Sequence, residues 1–232
     1  MKEESMKEKE EKKKLKALDL FCGAGGASTG LARAGFEVTG IDINPQPSYP
    51  FEFIQKDATK LSIKFLRQFD FLWASPPCQL FTQARHLRKA QGHKTSALNL
   101  IPQTRELLKK TYLPFVIENV PDAPIRKDLI LCGSSFGLGV RRHRIFECNF
   151  HINQPECKHK EQGRPWGVYH CPNDNIPCGG RTARNIEHGR KVMGMDYMSW
   201  NELKESIPPK YGEHIGKFAI KHIKEEKNVI KT

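Results

Sequence analysis

Cys78 follows two prolines in the stretch SPPCQ, directly after the apolar run FDFLWA. Pro76 and Pro77 set their own φ angles and have no N–H to donate, so the thiol rides on a stiff loop. A stiff loop gives up little entropy when its sulfur must be held against a reacting atom. Glu118 closes a second apolar run in VIENV, and Arg142 and Arg144 stand two apart in VRRHRIF. If that last segment is extended, both guanidiniums share one side. Cations beside the sulfur would favour the thiolate, the form that attacks. Arg141, between Val140 and Arg142, reads as a general phosphate contact.

A second group of residues could hold a ligand. DLFCGAGGASTG places Gly23, Gly25 and Gly26 in one turn, where a backbone without Cβ atoms leaves room for a bound group. Asp42 ends the run FEVTGIDI, nineteen residues after Gly23, where dinucleotide-type folds set a carboxylate on ribose hydroxyls. Asp57 ends FEFIQKD and could accept from an adenine amino group. Together they point to a nucleoside-bearing cofactor. The glycine spacing departs from G-x-G-x-x-G, which counts against NAD.

These side chains need a scaffold that delivers them to one edge. Short apolar runs at 15–21, 36–43, 51–57, 69–74 and 113–120 read as strands, with a further strand at 143–150. Residues 26–35 read as a helix closed by Gly35, and 95–112 as another in which Pro102 is an irregularity near the start. Strands alternating with helices predict an α/β fold, a doubly wound and mostly parallel sheet of Rossmann-like type, which binds ligands at its carboxyl edge. Residues 17–150 form the expected cofactor-binding domain and 1–16 a charged flexible tail. Residues 151–192 read as a small irregular insertion. Residues 193–232 return to the main domain, with a turn at Pro208–Pro209 and a closing helix.

The formal charge is +12 over 232 residues, and the tail holds seven Lys against five Glu, so most of the excess belongs to the folded part. Such a bias fits an acidic partner, most economically nucleic acid. No apolar run has the length of a membrane span and the N-terminus lacks a signal-peptide core, so a cytoplasmic protein without membrane contact is expected. Seven Cys at irregular spacing speak against a disulfide framework.

In order, DLFCGAGG, SPPCQ, ENV and RRHRIF resemble the motifs of the cytosine-C5 DNA methyltransferases, over residues 17–146, with a weaker match at IPPKYGEHIG. The resemblance implies the cofactor S-adenosylmethionine and methyl transfer to C5 of a cytosine flipped out of double-stranded DNA. It implies Cys78 as the nucleophile that adds to C6, Glu118 on N3 and the exocyclic amine, and Arg144 with Arg142 at O2. It implies a cofactor pocket of Phe21, Gly23, Gly25, Gly26, Asp42, Ile43, Asp57, Ala58, Pro77 and Leu100, with Phe21 stacked near the adenine.

The chain departs from that family at three places. Val140 stands where a Gln is common, IPPKYGEHIG puts its prolines first, and only about forty residues remain for target recognition. A short or relaxed target of roughly two to four base pairs, read by a monomer, is therefore expected. Trp166 and Tyr169 could wedge beside DNA or pack under the loop. Cys157, His159, Cys171 and Cys178 offer soft metal ligands, yet their spacing matches no strong zinc pattern, so reduced structural Cys and no metal are expected. RNA cytosine and a free deoxycytidine nucleotide stay open as substrates, as does an inactive module that keeps S-adenosylmethionine.

Overall fold

The structure is a computed structural model that describes residues 14–81, 98–168 and 181–229. Strand β1 (Lys16–Leu20) lies at the centre, and its burial is almost complete because both faces are covered. Parallel pairing joins it to β2 (Glu37–Asp42) on one side and β4 (Phe71–Ala74) on the other. β3 (Glu52–Gln55) extends the sheet beyond β2, and β5 (Phe115–Asn119) extends it beyond β4. The order is β3-β2-β1-β4-β5-β7-β6. The direction of winding reverses between β1 and β4, which opens a crevice at their carboxyl ends.

The last two strands depart from the parallel pattern. β7 (Arg144–Cys148) runs antiparallel to β5 and to β6 (Leu129–Leu131). β6 is too short for its alternation to stand out in the sequence, and it escaped the reading above. The other strands fall within a residue or two of their expected bounds.

Side-chain alternation divides the core in two. Ala17, Phe71, Trp73, Val116 and Phe146 face the layer of helix α1 (Gly26–Ala34) and helix α7 (Pro209–Val229). Leu18, Leu20, Leu72, Ala74 and Ile117 face the layer of α2 (Ile63–Leu66) and α3 (Ile101–Lys109). Full burial of a Leu- or Phe-sized side chain contributes about 1.5–3 kcal/mol, so these faces dominate the stability of the sheet. Helix α3 starts at Ile101, so Pro102 lies in its first turn, where no intrahelical N–H is lost. Pro102 is thus a start signal, and residues 95–97 of the expected helix lie outside the described ones.

α7 packs closely along α1. A Cβ at Gly30 would strike the carbonyl oxygen of Pro209, and one at Gly216 would lie 2.8 Å from Ala34 Cβ. The segment IPPKYGEHIG thus returns a helix beside the glycine turn, as its glycines predict.

Residues after 150 are less irregular than expected. α4 (His159–Gln162), the short strands β8 (Trp166–Gly167) and β9 (Arg181–Thr182), α5 (Ile186–Met193) and α6 (Trp200–Glu205) occupy this stretch. Val168, Val192, Met193, Met195, Met198 and Leu203 form a third core with Ala24 and Val140. Methionines adapt to gaps, and their scattered spacing hid this core from a periodicity reading. Among the described residues no helix is long and apolar enough to cross a membrane.

Candidate active site

β4 ends at Ala74, and the chain then turns over the carboxyl edge of the sheet. Ser75 N–H donates to the Leu20 carbonyl at 3.0 Å, and the Trp73 indole donates to Ser75 Oγ at 2.9 Å. Asn119 Nδ2 holds the Pro76 carbonyl at 2.9 Å from the end of β5. Phe81 N–H closes a turn on the Cys78 carbonyl at 2.8 Å. Three elements thus fix the loop that carries Cys78, whose side chain is half-buried.

Glu118 sits on β5 opposite Phe146 of β7. Arg144, two residues before Phe146, shares that face, and its Nε lies 3.0 Å from Glu118 Oε1. Both side chains are nearly closed off, at 13% and 8% exposure for Arg144 and Glu118. Burial pushes the Glu118 carboxyl up from its ordinary range, against the opposing pull of Arg144, Ser75 and Arg142. Cys78 is pushed up as well, first by burial and then by the Glu118 charge, with Arg144 and Arg142 pulling the other way. The two arginines do favour the thiolate, as expected, but burial and the Glu118 charge outweigh them in this state. Arg144 faces Glu118, and desolvation outweighs what remains of its field at the sulfur.

Arg142 corrects a second expectation. Its φ is 41°, so the chain is left-handed there and the two-residue alternation of a strand does not apply. One of its terminal nitrogens donates to the Lys204 carbonyl at 2.6 Å, and Tyr211 Oη donates to its carbonyl at 2.9 Å. Arg142 thus anchors the turn while adding a weaker charge to Cys78 and Glu118. Arg141 bonds Gln162 and Gly163 of the following segment, which gives its guanidinium an internal task beside the phosphate contact expected. Val140 is buried in the third core, so its position holds packing where the family commonly has a polar side chain.

The glycine turn opens beside this cluster in the sheet order. Phe21 and Gly23 have φ of 59° and 48°, and a Cβ at Gly23 would meet nothing within 4 Å. Gly25, at φ 90°, sits against Tyr49 and Tyr197. A Cβ at Gly26 would strike Ser206 and Ile207, so that glycine admits the C-terminal segment as its primary need. Asp42 receives Gly23 N–H at 3.1 Å and Asn44 N–H at 2.9 Å, one on each carboxylate oxygen. Each oxygen keeps acceptor capacity, and Ile43 beside it is 61% exposed. Open space over Gly23, an acceptor pair at Asp42 and an apolar neighbour at Ile43 fit a nucleoside-bearing group.

Asp57 is more committed. Its Oδ1 caps the turn Ala58–Lys60 by accepting from Thr59 N–H and Thr59 Oγ1, and these bonds hold its carboxyl below the usual range. Ala58 is buried, while Pro77 is half-buried in the Cys78 loop and Leu100 caps the start of α3. Phe21 packs partly against the α2/α3 core.

Asp19, absent from the sequence reading, supports the turn from below. Its Oδ2 accepts from Ser28 Oγ at 2.5 Å, and Ser28 also meets Tyr49 Oη at 2.7 Å. Burial lifts its carboxyl to about 7. Trp166 packs edge-on to His188, 4.4 Å between ring centroids, which supports the packing alternative. Tyr169 lies outside the described residues. Cys157 and His159, considered above as ligands, face Cys132 and His143, with all four donor atoms within 4.8 Å of one another. Their first expected partners, Cys171 and Cys178, lie outside the described residues.

Residues 15–125 match the family model for C-5 cytosine-specific DNA methylase. The "Probable DNA (cytosine-5)-methyltransferase" of Frog virus 3 is 30% identical over 130 residues, covering 50% of this chain and 58% of its own. Type II methyltransferase M.HindV of Haemophilus influenzae is 25% identical over 137 residues, 54% of this chain and 45% of that one. The chain thus spans about half the length of these curated relatives. Among solved structures, S. pombe Dnmt2 methyltransferase aligns with a TM-score of 0.60 at 16% identity, over 91% of this chain and 99% of that one. A Spodoptera frugiperda DNMT2 mutant aligns with the same TM-score at 14% identity, over 89% and 99%. These likenesses establish the fold.

Proposed function

From the match of residues 15–125 to the C-5 cytosine-specific DNA methylase model we propose that this protein methylates C5 of cytosine in double-stranded DNA. The reading rests above all on the Glu118–Arg144 pair, 3.0 Å apart, within electrostatic reach of the Cys78 thiol. S-adenosylmethionine, when bound over Gly23 and Asp42, supplies an electrophilic sulfonium methyl for C5 to take.

This chain's residues make the base reactive. Cys78 loses its proton, and the sulfur adds to C6, opening the C5–C6 double bond and placing electron density on C5. Glu118, raised by burial, carries a proton at ordinary working pH more readily than an exposed carboxyl does. It presents that proton to N3 while accepting from the exocyclic amine. Burial is the main cause that holds the Cys78 thiol up, and a neutral Glu118 removes the second, its charge, so base recognition and thiolate formation assist each other. Arg144 orients Glu118 and faces charge that develops at O2. After C5 is substituted its proton leaves to a base, the C5–C6 double bond returns and the Cys78 sulfur is expelled. Because C6 is stacked inside a duplex, the base has to be flipped out first. The +12 charge favours a polyanion over a free nucleotide.

The test uses tritiated S-adenosylmethionine with duplex DNA, RNA and deoxycytidine monophosphate. Transfer to duplex DNA is expected, falling at least about a thousandfold in Cys78→Ala. A duplex containing 5-fluorocytosine is expected to trap a covalent adduct at Cys78, because no removable C5 proton remains. Transfer to RNA alone would overturn the DNA assignment. An active enzyme that forms no adduct would remove the covalent step.

A further inference from the structure

We propose that Cys132, His143, Cys157 and His159 bind one structural zinc ion. The four donor atoms lie within 4.8 Å of one another, with Cys132 Sγ 3.3 Å from His159 Nε2 and Cys157 Sγ 3.7 Å from His143 Nε2. A tetrahedral zinc with two sulfur and two nitrogen ligands sets its donors about 3.3–3.8 Å apart, so only a small contraction is needed. The two imidazole rings stand at 90° with centroids 5.2 Å apart, an arrangement open to two ligands on one ion.

The fold explains why these residues meet. Leu131 pairs with Arg144 in the β6–β7 ladder, so the next pair outward is Cys132 and His143. Cys157 and His159 flank Lys158, whose N–H donates to Ser134 Oγ at 3.1 Å. The same Ser134 hydroxyl lies 3.1 Å from Cys132 Sγ and can donate to a thiolate there, an outer contact of the kind that orients metal ligands. Two thiolates would balance the charge of the ion, which matters next to Arg141, Arg142 and Arg144. The set closes around the ion with no position left for substrate, which marks a structural site. Soft sulfur and imidazole in a tetrahedral cage favour zinc over magnesium or calcium.

The benefit is local. Residues 153–162 bury almost nothing, and α4 has no buried residue. A metal would supply the folding energy that this segment's side chains lack. It would also tie the segment to the backbone that enters Arg144, since His143 is the preceding residue. Sequence spacing concealed the site because two ligands come from the β6–β7 hairpin and two from the segment that leads into α4.

Full-length chain purified under reducing conditions with zinc in the medium is expected to contain one equivalent of zinc. Cobalt(II) in its place is expected to give the intense visible bands of a tetrahedral site and a thiolate charge-transfer band. Cys157→Ser should drop the metal to background, while Cys171→Ser/Cys178→Ser and Cys148→Ala keep the full equivalent. A chelator should lower the melting temperature of the wild type and leave Cys157→Ser unmoved. A reduced, natively folded wild type that binds neither zinc nor cobalt would overturn the proposal. Loss of metal from Cys171→Ser/Cys178→Ser, or a Cys132–Cys157 disulfide in the purified chain, would do the same. Metal content is read without methyl transfer, so this result stands apart from that of the catalytic test.

Discussion

Glu118 and Glu147 lie on neighbouring strands, both buried and both facing an arginine, yet their bonding partners leave them on opposite sides of the ordinary carboxylate range. Glu118 is raised and Glu147 is lowered. The pairing register puts Glu118 opposite Phe146 and Glu147 opposite Ile117, so the two carboxylates leave the sheet on opposite faces. Glu147 receives Arg105 in a two-point grip, Nε and a terminal nitrogen both at 2.8 Å, and the Arg126 N–H at 3.2 Å. Those bonds outweigh desolvation. Glu118 has the Arg144 Nε at 3.0 Å and a bond from Ser75, and desolvation wins. A buried ion pair is thus a scaffold when its bonds are complete. It is a reactive group when acceptor capacity is held back for something that arrives later.

The largest expected effect breaks the scaffold side. Glu147→Ala leaves Arg105 without its main partner and is expected to cost about 3 kcal/mol in urea unfolding, with the folded fraction still active. On the reactive side, Glu118→Gln is expected to lower kcat about a hundredfold or more while costing less stability than Glu147→Ala. Stop-flow or steady-state methyl transfer alongside thermal melts separates the two. Equal losses of stability in both variants would erase the distinction.

Acid titration sharpens the contrast by sign. Glu147, held low, adds stability that is full above its unfolded value and is lost as pH falls through its folded one. Glu118, held high, does the reverse: it costs stability at higher pH, and that cost is relieved as pH falls through its folded value toward the ordinary one. Urea midpoints measured from neutral to acid pH should therefore fall less steeply in Glu147→Gln than in wild type, and more steeply in Glu118→Gln. The smallest effect is expected from Arg126→Ala. Its guanidinium is 54% exposed and reaches Glu147 only at 3.5 Å, so about 1 kcal/mol or less should be lost in the same unfolding assay.

The central parallel strands were legible because each is a short apolar run ending at a turn signal, and a strand buried on both faces must read that way. The glycine turn, the stiff Cys78 loop and the acids at strand ends were legible for the same local reason. Glu118 was visible as the carboxyl group closing an apolar run. Its partner choice was not, since one arginine of RRHRIF turns out to be bound to a carbonyl of α6 by a left-handed residue.

Local chemistry in the chain determined which atoms could react and which strand ends would carry them. Tertiary structure alone decided their charge states and company. Burial raised Cys78 and Glu118, β7 turned antiparallel to bring Arg144 across from β5, and a hairpin and a loop placed Cys132 and His143 against Cys157 and His159. The reason is physical: desolvation and cross-strand distance depend on what packs around a group, and neighbours along the chain do not encode it.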